Sequence, residues 1–183
     1  MLMMLVIFMI MMSAVIVEHL LDSPKERKSL KLYLVRGLPG SGKSWKGDDL
    51  LNDGSVDEVV EADQFMYEEK DREMVYNWHT DKIRPAHNDC RLRTFAALEN
   101  GKNVAVCNTF VARWQMQPYI EFAEKNDIQL EVISLGDSGY DDSGLLKRNV
   151  HGVPLETIQT MRSQWEEDYL SADPTPPWLR NKL

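Results

Sequence analysis

The chain has little cysteine, with only two among its 183 residues. This low number excludes a small scaffold held together by disulfides, and Cys90 and Cys107 do not have the paired spacing of a zinc site. Positive charge is also scarce, because 21 basic residues face 29 acidic ones and leave a net charge of −8. That balance argues against a broad basic surface that coats nucleic acid. The remaining composition, 43% apolar and 27% charged, is that of one folded domain with its own core.

The N-terminal stretch is unusual, since six of the ten methionines fall within the first twelve residues. Residues 1–17 contain a single polar side chain, and as a helix they would span about 25 Å, slightly less than a ~30 Å hydrocarbon core. A secretory signal is not indicated, because a positive n-region and a small-residue cleavage site are lacking. Three interpretations remain: a start codon placed too far upstream or a disordered leader, a marginal membrane anchor, and a segment buried in the fold.

We predict an apolar leader at residues 1–29 and one catalytic domain at residues 30–183. If the leader inserted into a membrane, the basic residues after it would keep the domain on the cytoplasmic side: Lys25, Arg27 and Lys28. We therefore expect a cytoplasmic domain, with membrane association only through the leader.

From Leu30 onward, short apolar runs alternate with longer amphipathic stretches, which predicts an α/β fold. The expected architecture is a mostly parallel sheet of about four to five strands, flanked by helices, with a mobile lid at residues 136–144. Strands are predicted at residues 31–35, 59–63, 103–108 and 129–135. Helices are predicted from Lys43 and at residues 81–99, 113–126 and 154–169, with Thr80 capping the second and a polar loop over residues 67–80.

The strongest motif lies between the first strand and the first helix and fits G-x-x-x-x-G-K-[ST]. Its glycines let successive backbone N–H groups point at a β-phosphate, and the helix N-terminus adds partial positive charge. The lysine of such a loop reaches the β- and γ-phosphates, and the serine hydroxyl binds magnesium. We therefore predict an ATP and Mg²⁺ site, with Ser44 as the metal ligand, formed by Gly37, Leu38, Pro39, Gly40, Ser41, Gly42, Lys43 and Ser44.

Phosphoryl transfer to an alcohol also needs a base and positive charge near the transferred group. Asp63, at the predicted end of the second strand, is the candidate base, and Glu61 shares its side of that strand. Arg148 follows the glycine-rich segment and is the candidate for neutralising charge in the transition state. The long helix and Arg113 supply further positive charge for an acceptor groove, for example through Arg91.

Five motifs in order resemble the polynucleotide-kinase-like P-loop kinases, with the small single-domain members of phages and bacteria the most similar. These motifs are RGLPGSGKS, EADQF, AHNDC, NTF followed by W-x-M-x-PY, and RNVHGVPLETIQTMRSQWEED, and they span about residues 30–169. The resemblance implies that Asp63 deprotonates the acceptor hydroxyl and that Arg148 is the lid arginine. It also implies that His87, Asn108 and Thr109 lie on the substrate side.

The chain departs from that family pattern at two places. Gln64 follows Asp63 where many relatives have a second aspartate, and Cys107 begins a C-N-T-F stretch where many have D-N-T-N. The missing carboxylate weakens the expectation that the third strand supplies a metal ligand. Phe110 is interpreted as a side chain able to stack on a base, and Cys107 and Cys90 as small buried residues. His151, beside Gly152, is assigned to a turn or to the lid.

The leading functional prediction is an ATP- and Mg²⁺-dependent kinase that acts on a hydroxyl of DNA or another nucleic acid. Two acceptors stay open: the hydroxymethyl group of 5-hydroxymethyluracil in DNA, which the phage resemblance slightly favours, and the 5′-hydroxyl of a polynucleotide. The alternatives are a small-molecule or nucleoside kinase, and a binding module in which the nucleotide switches the lid segment.

Overall fold

The computed structural model describes residues 29–180, and most of the predicted leader lies outside them. The central sheet contains β1 (Lys31–Arg36), β2 (Glu58–Val60), β5 (Val104–Asn108) and β6 (Gln129–Ser134) in the order β2-β5-β1-β6, all parallel. Two further strands, β3 (Tyr67–Lys70) and β4 (Glu73–Tyr76), form a separate hairpin. The helices are α1 (Lys43–Asn52), α2 (Ile83–Glu99), α3 (Arg113–Lys125), α4 (Asp142–Arg148) and α5 (Leu155–Ser163). The predicted α/β class with a parallel sheet of four strands is confirmed.

Strand β1 lies at the centre of the sheet and is covered on both faces. Leu32 and Leu34 point into the cluster formed with α2 and α3, whereas Tyr33 and Val35 point into the cluster formed with α1. This division follows from the period of two along a strand. The near-continuous apolar sequence of β1 is therefore that of a strand buried between helices.

Helix α1 packs very closely on the sheet because Gly47 has no side chain. A Cβ atom at Gly47 would lie 2.7 Å from the Sγ of Cys107 and 2.9 Å from a methyl group of Val59. The helix backbone therefore rests directly on β2 and β5. This contact sets the height of the helix N-terminus, which carries Lys43 and Ser44, above the carboxyl edge of the sheet.

Arg36 ends β1 and is fully buried. Its guanidinium donates to the carbonyls of Phe110 (3.1 Å), Val111 (3.2 Å) and Glu166 (3.0 Å). It also lies 3.9 Å from the ring centre of Trp165. Burial lowers the pKa of Arg36, and the nearby Glu167 and Glu166 carboxylates oppose that shift. The side chain thus ties the segment after α5 to the centre of the sheet through backbone acceptors.

The second strand was predicted at residues 59–63, but it ends at Val60, opposite Val106. The next available N–H, that of Ala62, donates to the Oδ1 of Asn108 (3.0 Å) rather than to the backbone of β5. The chain then forms a 3₁₀ turn, Ala62–Met66, which contains Asp63. The candidate base therefore lies beyond the strand, on a short turn above the sheet edge.

The polar loop predicted over residues 67–80 instead contains the β3–β4 hairpin. Its turn places Asp71 (φ 54°) and Arg72 (φ 70°) in the left-handed region. Asn-Gly or Asp-Gly pairs usually signal such turns, and Asp-Arg does not. The rings of Tyr67 and Tyr76 pack edge to face across the hairpin with centres 5.2 Å apart, and that contact is invisible to a local pattern.

Two predicted helix boundaries were also wrong. Thr80 does not cap α2, because it lies in a 3₁₀ turn, Thr80–Lys82, and the helix begins at Ile83 without a side-chain cap. The last helix ends at Ser163, six residues before the predicted end, since the N–H of Glu166 donates to Val111 (2.9 Å). Trp165, beyond the helix end, packs against the apolar cluster that contains Ile158.

Within residues 29–180, no helix combines the length and the apolar character needed to cross a bilayer.

Candidate active site

The phosphate loop connects β1 to α1 and is shaped by two left-handed glycines. Gly40 has φ +81° and Gly42 has φ +97°, and Lys43 is the first residue of α1. The loop is fastened at both sides: Gly37 N–H donates to Thr109 O (3.2 Å), and Leu38 N–H donates to Gly136 O (2.8 Å). The N-terminus of α1 thus opens above the sheet edge, in the arrangement that favours binding of an anion.

Lys43 and Ser44 begin α1 beside this loop. The ammonium of Lys43 donates to the carbonyl of Leu38 (3.0 Å). Burial lowers the pKa of Lys43 to about 8, while the negative charge of Asp63 opposes the shift. The side chain is therefore a desolvated cation that gains a strong partner when a phosphate arrives. Ser44 is exposed at the same helix terminus.

The Asp63 turn is held in place from two directions. Arg93 of α2 donates to the carbonyl of Glu61 (3.0 Å) and to the side-chain oxygen of Gln64 (2.5 Å). Asn108, at the end of β5, accepts from the N–H of Ala62. These contacts fix the backbone on both sides of Asp63 and leave its carboxylate oxygens free of strong donors. The position of Asp63 is thus set by groups that do not themselves perform chemistry.

Three side chains from distant parts of the chain converge on the Asp63 carboxylate. The hydroxyl of Tyr76, from the hairpin, lies 3.5 Å from Oδ1, and the Nε2 of His151 lies 3.5 Å from Oδ2. The Tyr76 and His151 rings also pack together, with centres 4.8 Å apart. Burial raises the pKa of Tyr76, and burial lowers the pKa of His87 against the opposing charge of Asp63. His87 therefore also lies near the carboxylate.

Helix α4 covers the phosphate loop from the other side. The Nε of Arg148 donates to the carbonyl of Gly40 (3.1 Å), and its guanidinium lies 4.5 Å from the ring centre of Tyr140. Leu145 is fully buried under this helix, and Ser138 donates to Ser41 O (2.7 Å). The stretch predicted as a mobile lid, residues 136–144, thus forms turns and the start of α4, with Asp141 capping the helix through Gly144 N–H (2.7 Å).

The other predicted substrate residues are less central. Arg91 bonds Asn88 on the same helix (2.8 Å). Arg113 is engaged with the C-terminal segment, since its N–H donates to Glu166 (2.7 Å) and its guanidinium to Leu170 O. Asn108 is buried and also donates to the Sγ of Cys90 (3.4 Å), so the structure places it beneath the Asp63 turn. Thr109 lies next to the loop through its carbonyl.

Phe110 does not face the site. Its side chain is 2% exposed and packs edge to face on Tyr119, with ring centres 5.6 Å apart, so the expectation that it stacks on a base was wrong. Its left-handed backbone, φ 43°, turns the side chain inward. Cys90 and Cys107 are buried free thiols, as predicted.

Sequence reasoning missed Tyr76. It gave Arg93 only a share in the positive charge of the long helix and His151 only a place in a turn or the lid, and it did not reveal the environment of Glu61. The Glu61 carboxylate faces the start of α1, and one of its oxygens, Oε1, is enclosed without a hydrogen-bond partner. Burial raises the pKa of Glu61, and a hydrogen bond from Ser44 opposes the shift. A hydroxyl beside a carboxylate with one unpartnered oxygen is a donor set that suits Mg²⁺ accompanying a nucleotide. In the range 29–180 no group of three His, Cys, Asp or Glu side chains forms a metal cluster, so the phosphates would supply further ligands.

The lowered pKa of Lys43 gives a testable pH dependence. Phosphate binding requires the charged ammonium, so above about pH 8 the free protein must take up a proton in order to bind. We expect affinity for ATP in EDTA to fall towards tenfold per pH unit between roughly pH 8 and 9.5. The control is Lys43→Arg, whose guanidinium stays charged and whose affinity should be flat over that range. Parallel profiles for the two proteins would contradict this assignment.

A parallel sheet whose first strand leads through a glycine-rich phosphate loop into a helix defines a protein with the P-loop kinase fold. The model of the family described as an AAA domain matches residues 32–167, and the chain belongs to that family.

Among curated proteins, NEDD4-binding protein 2 from Homo sapiens is 28% identical over 140 residues, which is 75% of this chain but 8% of that protein. A chain in the solved structure of the Pnkp1/Rnl/Hen1 RNA repair complex has TM-score 0.60 and 16% identity, covering 85% of this chain and 50% of that one. A gluconokinase from Sinorhizobium meliloti has TM-score 0.48 and 21% identity over 75% of each chain.

Proposed function

We propose that the protein transfers the γ-phosphate of ATP to a hydroxyl group carried by a nucleic acid. The observation that carries this proposal is the Asp63 carboxylate, which is held above the sheet edge close enough to Lys43 to act on its pKa. A rigidly placed carboxylate beside a phosphate loop is what deprotonation of an incoming alcohol requires. A site built only for nucleotide binding has no use for it.

Each residue then has a distinct task. Asp63 takes the proton of the acceptor hydroxyl as the acceptor oxygen attacks the γ-phosphorus. The bond between the γ-phosphorus and the β–γ bridging oxygen breaks, ADP leaves with that oxygen, and the proton stays on the Asp63 carboxylate. Lys43 and Arg148 stabilise the negative charge that develops on the phosphoryl oxygens, and the loop N–H groups hold the β-phosphate. Ser44 would hold a Mg²⁺ ion, which when bound neutralises phosphate charge.

Support for a nucleic-acid acceptor comes from exposed aromatic side chains on the turn and hairpin that follow β2. Phe65 of the Asp63 turn, Tyr67 at the start of β3 and Trp78 after β4 are 40%, 41% and 53% exposed. Exposed rings on the segments that carry Asp63 and Tyr76 are suited to stacking on bases, at about 1–3 kcal/mol each. The fold that the chain shares with a member of an RNA repair complex adds a polynucleotide end to the acceptor candidates.

A second candidate, a kinase of small uncharged acceptors, is favoured by the charge of the same hairpin. Residues 67–76 contain four acidic side chains and two basic ones. Such an excess repels a phosphate backbone, whereas it has little effect on a nucleoside or sugar. A nucleic acid would then have to bind along α2, where Arg84 and Arg91 lie, rather than over the outer strand of the hairpin.

The deciding experiment incubates the full chain with γ-labelled ATP and a panel of acceptors. The panel contains 5′-hydroxyl DNA, 5′-hydroxyl RNA, DNA with 5-hydroxymethyluracil and phosphorylated ends, and free nucleosides. The same panel is run with Asp63→Asn, and any label that this variant still transfers does not depend on the proposed base.

Label in either form of nucleic acid supports the proposal, and the end-blocked DNA separates a base hydroxyl from a chain terminus. Label restricted to nucleosides would replace the proposal with the small-molecule alternative. If none of the acceptors is labelled, the proposal is wrong.

A further inference from the structure

Glu61 is a half-buried acid, and one of its two carboxylate oxygens has no hydrogen-bond partner. That oxygen, Oε1, is enclosed, and the ammonium of Lys43, whose charge acts on Glu61, bonds the Leu38 carbonyl instead. An enclosed carboxylate oxygen without a hydrogen-bond partner destabilises the fold. Such a cost is characteristic of a position that serves binding rather than stability.

The location of this carboxylate is set by the register of the sheet. Glu61 follows Val60, which pairs with Val106, and therefore stands beside Cys107 at the end of β5. Its charge raises the pKa of Cys107 further than burial alone, which shows that the two side chains are close. Strand β5 ends under the phosphate loop but brings a thiol rather than a carboxylate to this point. The neighbouring strand thus contributes the acidic group that β5 lacks.

The Glu61 backbone is held rigidly. Its carbonyl accepts from Arg93 (3.0 Å), and its N–H donates to the Gln64 side chain (3.2 Å), whose amide donates in turn to Val59 O (3.3 Å). The following N–H, that of Ala62, is fixed by Asn108. These contacts fix the point from which the Glu61 side chain extends, and the carboxylate itself accepts a hydrogen bond from Ser44.

We propose that Glu61 joins Ser44 in binding the divalent cation that accompanies the nucleotide, directly or through one water of its coordination shell. This inference rests on the nucleotide site of the proposed function but not on its acceptor. Mg²⁺ at phosphate sites is held by one or two protein oxygens together with the phosphates, and a hydroxyl plus one carboxylate meets that requirement.

The test compares wild type, Glu61→Gln and the matched control Glu58→Gln. Glu58 lies at the other end of β2, where it forms an exposed ion pair with Lys102. Mn²⁺ binding is measured by electron paramagnetic resonance in the presence of a non-hydrolysable ATP analogue, and analogue affinity is measured separately in EDTA. We expect Glu61→Gln to weaken Mn²⁺ binding about 10- to 100-fold, with affinity in EDTA unchanged or higher. Glu58→Gln should match wild type, and Glu61→Asp should recover part of the cation affinity.

Thermal unfolding separates this role from a structural one. Without ligand, Glu61→Gln should melt at or above the wild-type temperature, because it removes a buried charge, whereas its stabilisation by Mg²⁺ with the analogue should be smaller. The inference would be overturned if wild type and Glu61→Gln bound Mn²⁺ with equal affinity. It would also be overturned if the affinity of wild type for the analogue did not depend on the cation. If the cation effect is found but no acceptor is labelled, only the acceptor proposal fails.

Discussion

Asp63→Asn is expected to lower the rate of phosphoryl transfer by about 10²- to 10⁴-fold, the usual contribution of a positioned general base. Asparagine has nearly the same shape and can keep the contacts of Tyr76 and His151, both 3.5 Å from the carboxylate oxygens. It cannot accept the proton of the attacking hydroxyl. The loss should therefore appear in turnover rather than in folding, and single-turnover kinetics with saturating ATP measures it.

ATP affinity is the internal control for this variant. Removal of a negative charge close to the phosphate loop should leave affinity unchanged or improve it, because Asp63 repels the phosphates. A second control is Asp127→Asn, a change in the turn between α3 and β6, where φ is 54° and asparagine is tolerated. A variant at position 63 that transfers phosphate normally would contradict the base assignment and favour a nucleotide-regulated binding module.

Gly40→Ala is expected to destabilise the fold by about 2–4 kcal/mol. Part of this cost, about 1–2 kcal/mol, is the left-handed backbone at φ +81°. The rest is steric, because an added Cβ would lie 2.3 Å from the carbonyl oxygen of Leu145. The backbone of α4 cannot rotate away as a flexible side chain would, so α4 must separate from the phosphate loop. Urea unfolding measures the total.

Gly54→Ala isolates the steric part of that cost. Gly54 has almost the same backbone angle, φ +77°, but nothing lies within 4 Å of its missing Cβ. Gly54→Ala should lose only the part of the free energy of unfolding that comes from the left-handed backbone. The difference between the two variants then measures the contact of α4 with the phosphate loop. ATP affinity should fall in Gly40→Ala alone, since Arg148 reaches the site through the Gly40 carbonyl. Equal losses of stability in both variants would show that α4 is not docked as described.

The parts of the fold that were predicted well are those whose cause is local. The strands β1 and β5 are continuous apolar runs, and α2 ends at Glu99, as predicted. The phosphate loop is likewise predictable from consecutive residues, because its conformation depends on its own glycines and on the helix terminus that follows them. Lys43 is the first helical residue, as the motif predicted.

The predictions failed where groups distant in the sequence determine the local structure. The second strand is cut short by the amide of Asn108, and α5 is cut short by the carbonyl of Val111. The hairpin was missed because its turn lacks the expected residues and its stability comes from cross-strand contacts such as Tyr67 with Tyr76. None of these competitors lies within a local window, so periodicity alone could not reveal them.

The sequence by itself determined the α/β class, the phosphate loop and the choice of Asp63 and Arg148 as candidates, because spacing within one segment encodes them. Only the tertiary structure decided that Arg93 and Asn108 position the Asp63 turn, and that Tyr76 and His151 meet at its carboxylate. It alone revealed the unpartnered oxygen of Glu61 beside Ser44. The physical reason is that burial and charge at a site depend on neighbours up to about a hundred residues away, which packing selects and sequence order does not.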